Sequence, residues 1–156
     1  MKRTLSLLGV AALLLLGIAA PAAGQTSVTG TGAVVLPPGA QYGGLALSGL
    51  RFGNGLVINR DGTASGDFQT NLLGTTLLGA RREITVEGLV QTGALNQDGS
   101  VTFQGTGSID LGDGSLPLSG LPFGVTMGTQ GIELVLGTTS LPLQALSVGG
   151  ISISRE

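Results

Sequence analysis

The chain has 156 residues, a formal net charge of −2 and neither histidine nor cysteine. That composition removes the usual general base, the imidazole and thiolate metal ligands, and any Ser-His-Asp or Cys-His nucleophile. Its acidic balance lacks the basic stripe that nucleic acid requires, and without disulfides the fold must hold by core packing and hydrogen bonding alone.

The first 24 residues read as a signal peptide. Lys2 and Arg3 give a positive start, and residues 5–20 are apolar with the run Leu13-Leu14-Leu15-Leu16. Pro21-Ala22-Ala23-Gly24 supplies the small residues that signal peptidase accepts. The apolar stretch is short against the roughly 20 residues of a membrane span, and Gly9, Gly17 and Pro21 interrupt it. Cleavage is expected after Gly24, with Ala22 as the alternative. This leaves one domain at residues 25–156, long enough for a single core. It carries Arg51, Arg60, Arg81, Arg82 and Arg155 against nine acids, a net charge of −4. The expected location is secreted, extracellular or periplasmic, with no transmembrane segment in the mature chain. No cysteine accepts a lipid, and no apolar tail follows Leu116-Pro117-Leu118-Ser119-Gly120.

Residues 25–36 read as a first strand, with Val28, Gly30, Gly32, Val34 and Leu36 on one face. Pro37-Pro38-Gly39 ends it. Leu45, Leu47 and Phe52 mark a second strand, with Gly53 and Gly55 at a bend. The clearest signal is residues 55–72. Leu56 and Ile58 alternate with Val57 and Asn59, and Ala64, Gly66, Phe68 and Thr70 alternate with Ser65, Asp67 and Gln69. Between the two runs stands Asp61-Gly62, the mark of a hairpin with a tight two-residue loop. Gly62 is expected at positive φ there.

Residues 72–79, with two threonines and two glycines, read as a loop or short strand rather than a helix. A strand over 82–89 follows, with Ile84 and Val86 on one face and Thr85, Glu87 and Leu89 on the other. Asn96-Gln97-Asp98-Gly99 is a turn, Val101, Phe103, Gly105, Gly107 and Ile109 form the next strand, and Asp113-Gly114 turns again. The prolines of residues 116–127 predict an edge strand or two short pieces. Ile132, Leu134 and Leu136 follow, then Leu141-Pro142, and last residues 146–154 with Ile151 and Ile153. About eight or nine short strands at this spacing predict an all-β, single antiparallel β-barrel, with a two-sheet sandwich as the alternative. Gly30, Gly32, Gly66, Gly88, Gly105 and Gly107 sit inside strand patterns, where each costs roughly 0.5–1 kcal/mol relative to alanine. They favour a curved barrel over a flat sandwich, because glycine permits sharp bends and close backbone approach.

The order Thr29-Gly30-Thr31-Gly32, Gly66-Asp67-Phe68, Ile84 and Val86, Val101-x-Phe103-x-Gly105-x-Gly107, and Gly149-Gly150-Ile151-Ser152-Ile153 resembles small secreted bacterial β-domains of unknown function. Those domains stand alone or are appended to larger exported proteins. The resemblance implies no catalytic residues.

Carboxylates, arginines, hydroxyls and Tyr42 remain for chemistry. The acid pairs that spacing offers for glycoside hydrolysis are Asp61 with Asp67, Glu83 with Glu87, and Asp110 with Asp113. Asp61, Asp98 and Asp113 each precede glycine, which is turn chemistry. Asp110-Leu111-Gly112-Asp113 and Asn96-Gln97-Asp98 carry oxygen ligands for calcium at spacings unlike an EF-hand. Arg81-Arg82-Glu83 is a local charge cluster whose neighbours point to opposite faces of a strand. Phe52, Phe68, Phe103 and Phe123 fall on inward positions. An outer-membrane barrel would need aromatic girdles, and the mature chain has one tyrosine and no tryptophan. The reading is an exported, non-catalytic structural or binding module with a cell-envelope or extracellular partner. No catalytic, cofactor-binding or metal-binding residue is assigned. The alternative is a barrel carrying a small apolar ligand, and the third reading is a carboxylate-dependent hydrolase.

Overall fold

The computed structural model of the chain describes residues 24–156, and the leader expected at 1–24 lies, Gly24 apart, outside the described residues. Alternating apolar residues and glycine-closed turns give ten strands. They are β1 (Thr26–Val35), β2 (Gln41–Tyr42), β3 (Leu45–Ile58), β4 (Ala64–Thr75), β5 (Arg81–Leu95), β6 (Val101–Asp110), β7 (Leu118–Gly128), β8 (Gly131–Leu136), β9 (Thr139–Gln144) and β10 (Val148–Arg155). No helix occurs among the described residues.

Nine strands form one antiparallel path, β10-β1-β3-β4-β5-β6-β7-β8-β9, and β2 adds to β3. The closed barrel expected from strand count is therefore corrected. No ladder joins β9 to β10, and the sheet is an open half-barrel. Across the opening, β10 comes near β7 without forming a ladder with it. Ser147, just before β10, donates its N–H and its hydroxyl to the Ala33 carbonyl at 2.8 and 2.9 Å. These bonds carry the β1 pairing one residue beyond the start of β10.

The inner face is continuous. Val28, Leu56, Ile58, Phe68, Leu72, Ile84, Val86, Val101, Phe103, Val125, Met127, Leu134 and Leu141 belong to one buried cluster. All four phenylalanines are buried, as their inward register predicts. The curl that closes this cluster depends on glycine. Gly88 on β5 lies under the Phe123 ring, and a Cβ there would come within 2.3 Å of the ring. Phe52 covers Gly32, its partner across β1 and β3, at 3.1 Å from the same hypothetical atom. Register shifts between Val90 and Thr92 and between Gly107 and Ser108 add local twist.

The hairpin around Asp61 exists, but its loop has three residues rather than two. Asn59 N–H bonds the Thr63 carbonyl at 2.8 Å and Gly62 N–H bonds the Asn59 carbonyl at 3.1 Å. Gly62 takes φ +84°. The loop is a tight turn followed by a left-handed glycine, a geometry that also matches strand twist. Thr76–Ala80 and Asn96–Ser100 are closed by the same two bonds, with Gly79 and Gly99 at φ +82° and +85°.

Two other expectations change. Residues 72–79, read as a loop or short strand, are instead the end of the long strand β4, through Thr75, and the turn that follows it. The prolines of 116–127 do not make β7 an edge, because it lies between β6 and β8. β8 begins pairing only at Phe123. Pro122, one residue earlier, accepts a bond from Gly137 N–H through its carbonyl and needs no N–H of its own.

Candidate functional site

The carboxylates that spacing singled out are held separately. Asp61 Oδ1 accepts the Thr63 N–H and hydroxyl at 2.9 and 2.6 Å. Asp98 does the same with Ser100 at 2.9 and 2.6 Å, and Asp113 with Ser115 at 2.9 and 2.5 Å. The hydroxyl bond, then the backbone bond, holds each of these carboxyls below the usual aspartate range. Asp110 Oδ1 accepts the Gly112 N–H at 2.8 Å. Glu87 takes an amide hydrogen of Gln69 at 3.1 Å, and Glu83 accepts from Asn71. These are turn closures and cross-strand clips on the outer face. Among the described residues no group of three or more His, Cys, Asp or Glu side chains could share a metal ion.

The acids that do share a depression are a pair spacing did not select. Asp67 and Glu87, on adjacent strands β4 and β5, line an open hollow of about 470 Å³ with Gln69, Leu89 and Ser108. It lies on the outer face, open to water. Three of the arginines gather elsewhere. Arg51, Arg81 and Arg82 line a second open hollow of about 570 Å³ with Ser48 and Glu83. Pairing on β4 places Arg81 opposite Thr75 and Arg82 opposite Gly74.

Two features of the structure went unread in the sequence. The first is an edge. β10 pairs with β1 on one side, and among the described residues nothing bonds the backbone of 148–155 on the other. Ile151 and Ile153, which face the core, are only half-buried. The opposite edge, β9, is shorter and contains Pro142, which cannot donate to a ladder. The Ile-Ser-Ile alternation was visible, but its edge position depends on a pairing with β1 more than a hundred residues away. The second is the turn of β4 and β5, where Leu77 and Leu78 are 100% and 98% exposed. The shared x-x-Gly turn pattern could have placed them at a hairpin tip. A polar oddity also lies inside: Asn54 donates to the Val28 carbonyl at 3.2 Å, while its Oδ1 is buried without a partner.

No protein-family model matches the chain, and no curated protein or solved structure is similar to it.

Proposed function

We propose that the chain is an exported, non-catalytic binding module that accepts an extended strand from a partner along β10. The observation that carries this reading is the unpaired edge at Val148–Arg155. Natural sheets protect edges with charge, proline or short length, because a bare ladder recruits another strand. β9 carries such protection in Pro142, and β10 carries a charge only at Arg155, its last residue. A peptide with alternating apolar side chains fits best. Its inward residues would cover Ile151 and Ile153 while its backbone satisfied the open ladder. The added strand would extend the curl toward a closed barrel.

Catalysis has little support, since most of the acids are engaged in turns and cross-strand clips and the pair that shares a hollow, Asp67 and Glu87, lies on the outer face open to water. The apolar-carrier reading is supported less well than strand binding, because Phe68, Phe103 and Phe123 cluster on the concave side where a ligand would sit.

Amide hydrogen exchange tests the reading. Addition of a synthetic alternating Val-Thr peptide is expected to slow exchange at residues 150–155 and to leave β9 unchanged. Ile151→Lys with Ile153→Lys is expected to weaken that binding at least about tenfold, since two half-buried apolar contacts are lost. Unchanged exchange at β10 in the presence of peptide overturns it, and so does protection at β10 that only a second copy of the chain produces.

A further inference from the structure

The two ends of the sheet differ in chemistry. At one end lie residues 59–63, 96–100 and 129–130, reading Asn-Arg-Asp-Gly-Thr, Asn-Gln-Asp-Gly-Ser and Thr-Gln. At the other lie the β4–β5 turn, the β6–β7 connection, the end of β1 and the start of β10. That second end carries Val35 (68% exposed), Leu77 (100%), Leu78 (98%), Leu116 (88%), Leu118 (60%) and Val148 (66%). Among the described residues, only Leu89 and Leu143 of the strongly exposed large apolar side chains lie elsewhere.

The turn geometry sharpens the contrast. Three hairpins use the same three-residue loop, closed by the same pair of backbone bonds and a left-handed glycine. Two of them fill the preceding positions with Arg60-Asp61 and Gln97-Asp98, and each aspartate caps its turn. The third has Leu77-Leu78, with nothing in the turn that needs leucine. These side chains project from a convex tip, so no groove of this chain receives them.

We propose that this end docks on a phospholipid bilayer, with Leu77 and Leu78 inserted at the acyl boundary and Arg81 and Arg82 at the phosphates. A convex tip of bare leucines suits a deformable apolar medium better than a rigid protein surface. The arginines follow Leu78 at the third and fourth positions, and Arg51 shares their hollow. Arginine stems run along apolar surface while the guanidinium meets phosphate. The acids at this end bond within their own turns and strands, Glu83 with Asn71, Asp110 with Gly112 and Asp113 with Ser115, and of the arginines Arg82 lies near one of them, Asp113. The leucines supply the apolar burial and the arginines the attraction to anionic headgroups, the two contributions that set interfacial binding.

The chain has no tryptophan, so a single introduced indole reports on its own position. Leu78→Trp is placed at the tip, and Gln97→Trp at the equivalent turn of the polar end, each in the full chain. Vesicles of phosphatidylcholine with phosphatidylglycerol are expected to shift the emission of the Leu78→Trp variant to the blue and to allow its quenching by brominated acyl chains. The reporter at position 97 is expected to stay water-exposed. Arg81→Gln with Arg82→Gln should reduce the partition into anionic vesicles several-fold and leave that into pure phosphatidylcholine nearly unchanged. No shift at position 78, an equal shift at both positions, or a shift at 78 that follows protein concentration without lipid overturns the proposal. The last outcome would mean that the tip packs on another copy of the chain.

Discussion

Phe68 and Phe123 stack with their ring centroids 5.4 Å apart, although β5 and β6 lie between the strands that carry them. In a flat sheet three strand spacings would separate them by roughly 14 Å. The rings meet because the sheet folds inward at Gly88, which leaves room for the Phe123 ring directly above the backbone. Phe103, edge-on to Phe68 at 5.8 Å, completes the cluster.

This arrangement predicts an unusual size dependence at position 88. Gly88→Ala should destabilise the fold by roughly 1–3 kcal/mol through overpacking against the ring. Phe123→Leu in the same chain should restore part of that loss, so the two changes are non-additive. Denaturant melts of the two single variants and the double variant measure the coupling. Strict additivity would mean that the ring does not lie on Gly88.

Much of this was legible in the sequence where the physics is local. Alternation placed Ile58, Phe68, Phe103 and Val125 on the inner face, and each is buried. The interior glycines pointed to curvature, and Gly88 shows why. What stayed hidden depends on distant pairing. Whether the last strand meets the one before it is not written in either strand's alternation, so the barrel was expected to close. Pro122 suggested an edge because its tolerance depends on where β8 stops, a fact outside its own segment. Leu77 and Leu78 fell in a stretch too short and too mixed to show where strand ends and turn begins.

The β3–β4 hairpin gives a three-way comparison. Gly62→Val should destabilise by roughly 1–3 kcal/mol, since a β-branched residue is strained at φ +84°. Phe68→Ala should cost more, about 3–5 kcal/mol, because the ring is buried. Asp67→Ala, on the exposed face, should stay within about 0.5 kcal/mol. Urea midpoints rank the three, and a larger effect at Asp67 than at Phe68 would reverse the assigned faces.

Acid should weaken the turns in a defined direction. The carboxyls of Asp61, Asp98 and Asp113 are held below their ordinary range by bonds from Thr63, Ser100 and Ser115. A depressed folded-state value adds stability that is fully present above the unfolded aspartate value. It is lost as pH falls through the folded one. Thermal midpoints should therefore be flat near neutrality and decline below about pH 4. The Asp61→Asn, Asp98→Asn and Asp113→Asn triple variant, which keeps an oxygen acceptor in each turn, should show a shallower decline. An unchanged acid slope in that variant would place the sensitivity elsewhere.

The export proposal is tested by intact mass. Protein recovered from the secreted or periplasmic fraction should begin at Gln25 or at Ala23. The two products differ structurally, because Gly24 N–H bonds the Glu156 carbonyl at 2.7 Å. Cleavage before Ala23 keeps that bond and should give the slightly higher melting temperature. Recovery of a chain starting at Met1 in the membrane fraction would argue against a cleaved leader.

The pairing of β1 with β10 also sets the order of assembly. Of the described strands β1 is made first and β10 last, and Ser147 bonds back to Ala33 across 114 positions of chain. A ribosome supplies these residues from the amino terminus onward. β1 can therefore zip to β3 early, but its second ladder must wait until residues 148–155 have emerged. Closing a loop of that length costs entropy before any contact repays it, and such topologies fold slowly. The growing chain therefore carries an open β1 edge until the 8 residues of β10 have been made.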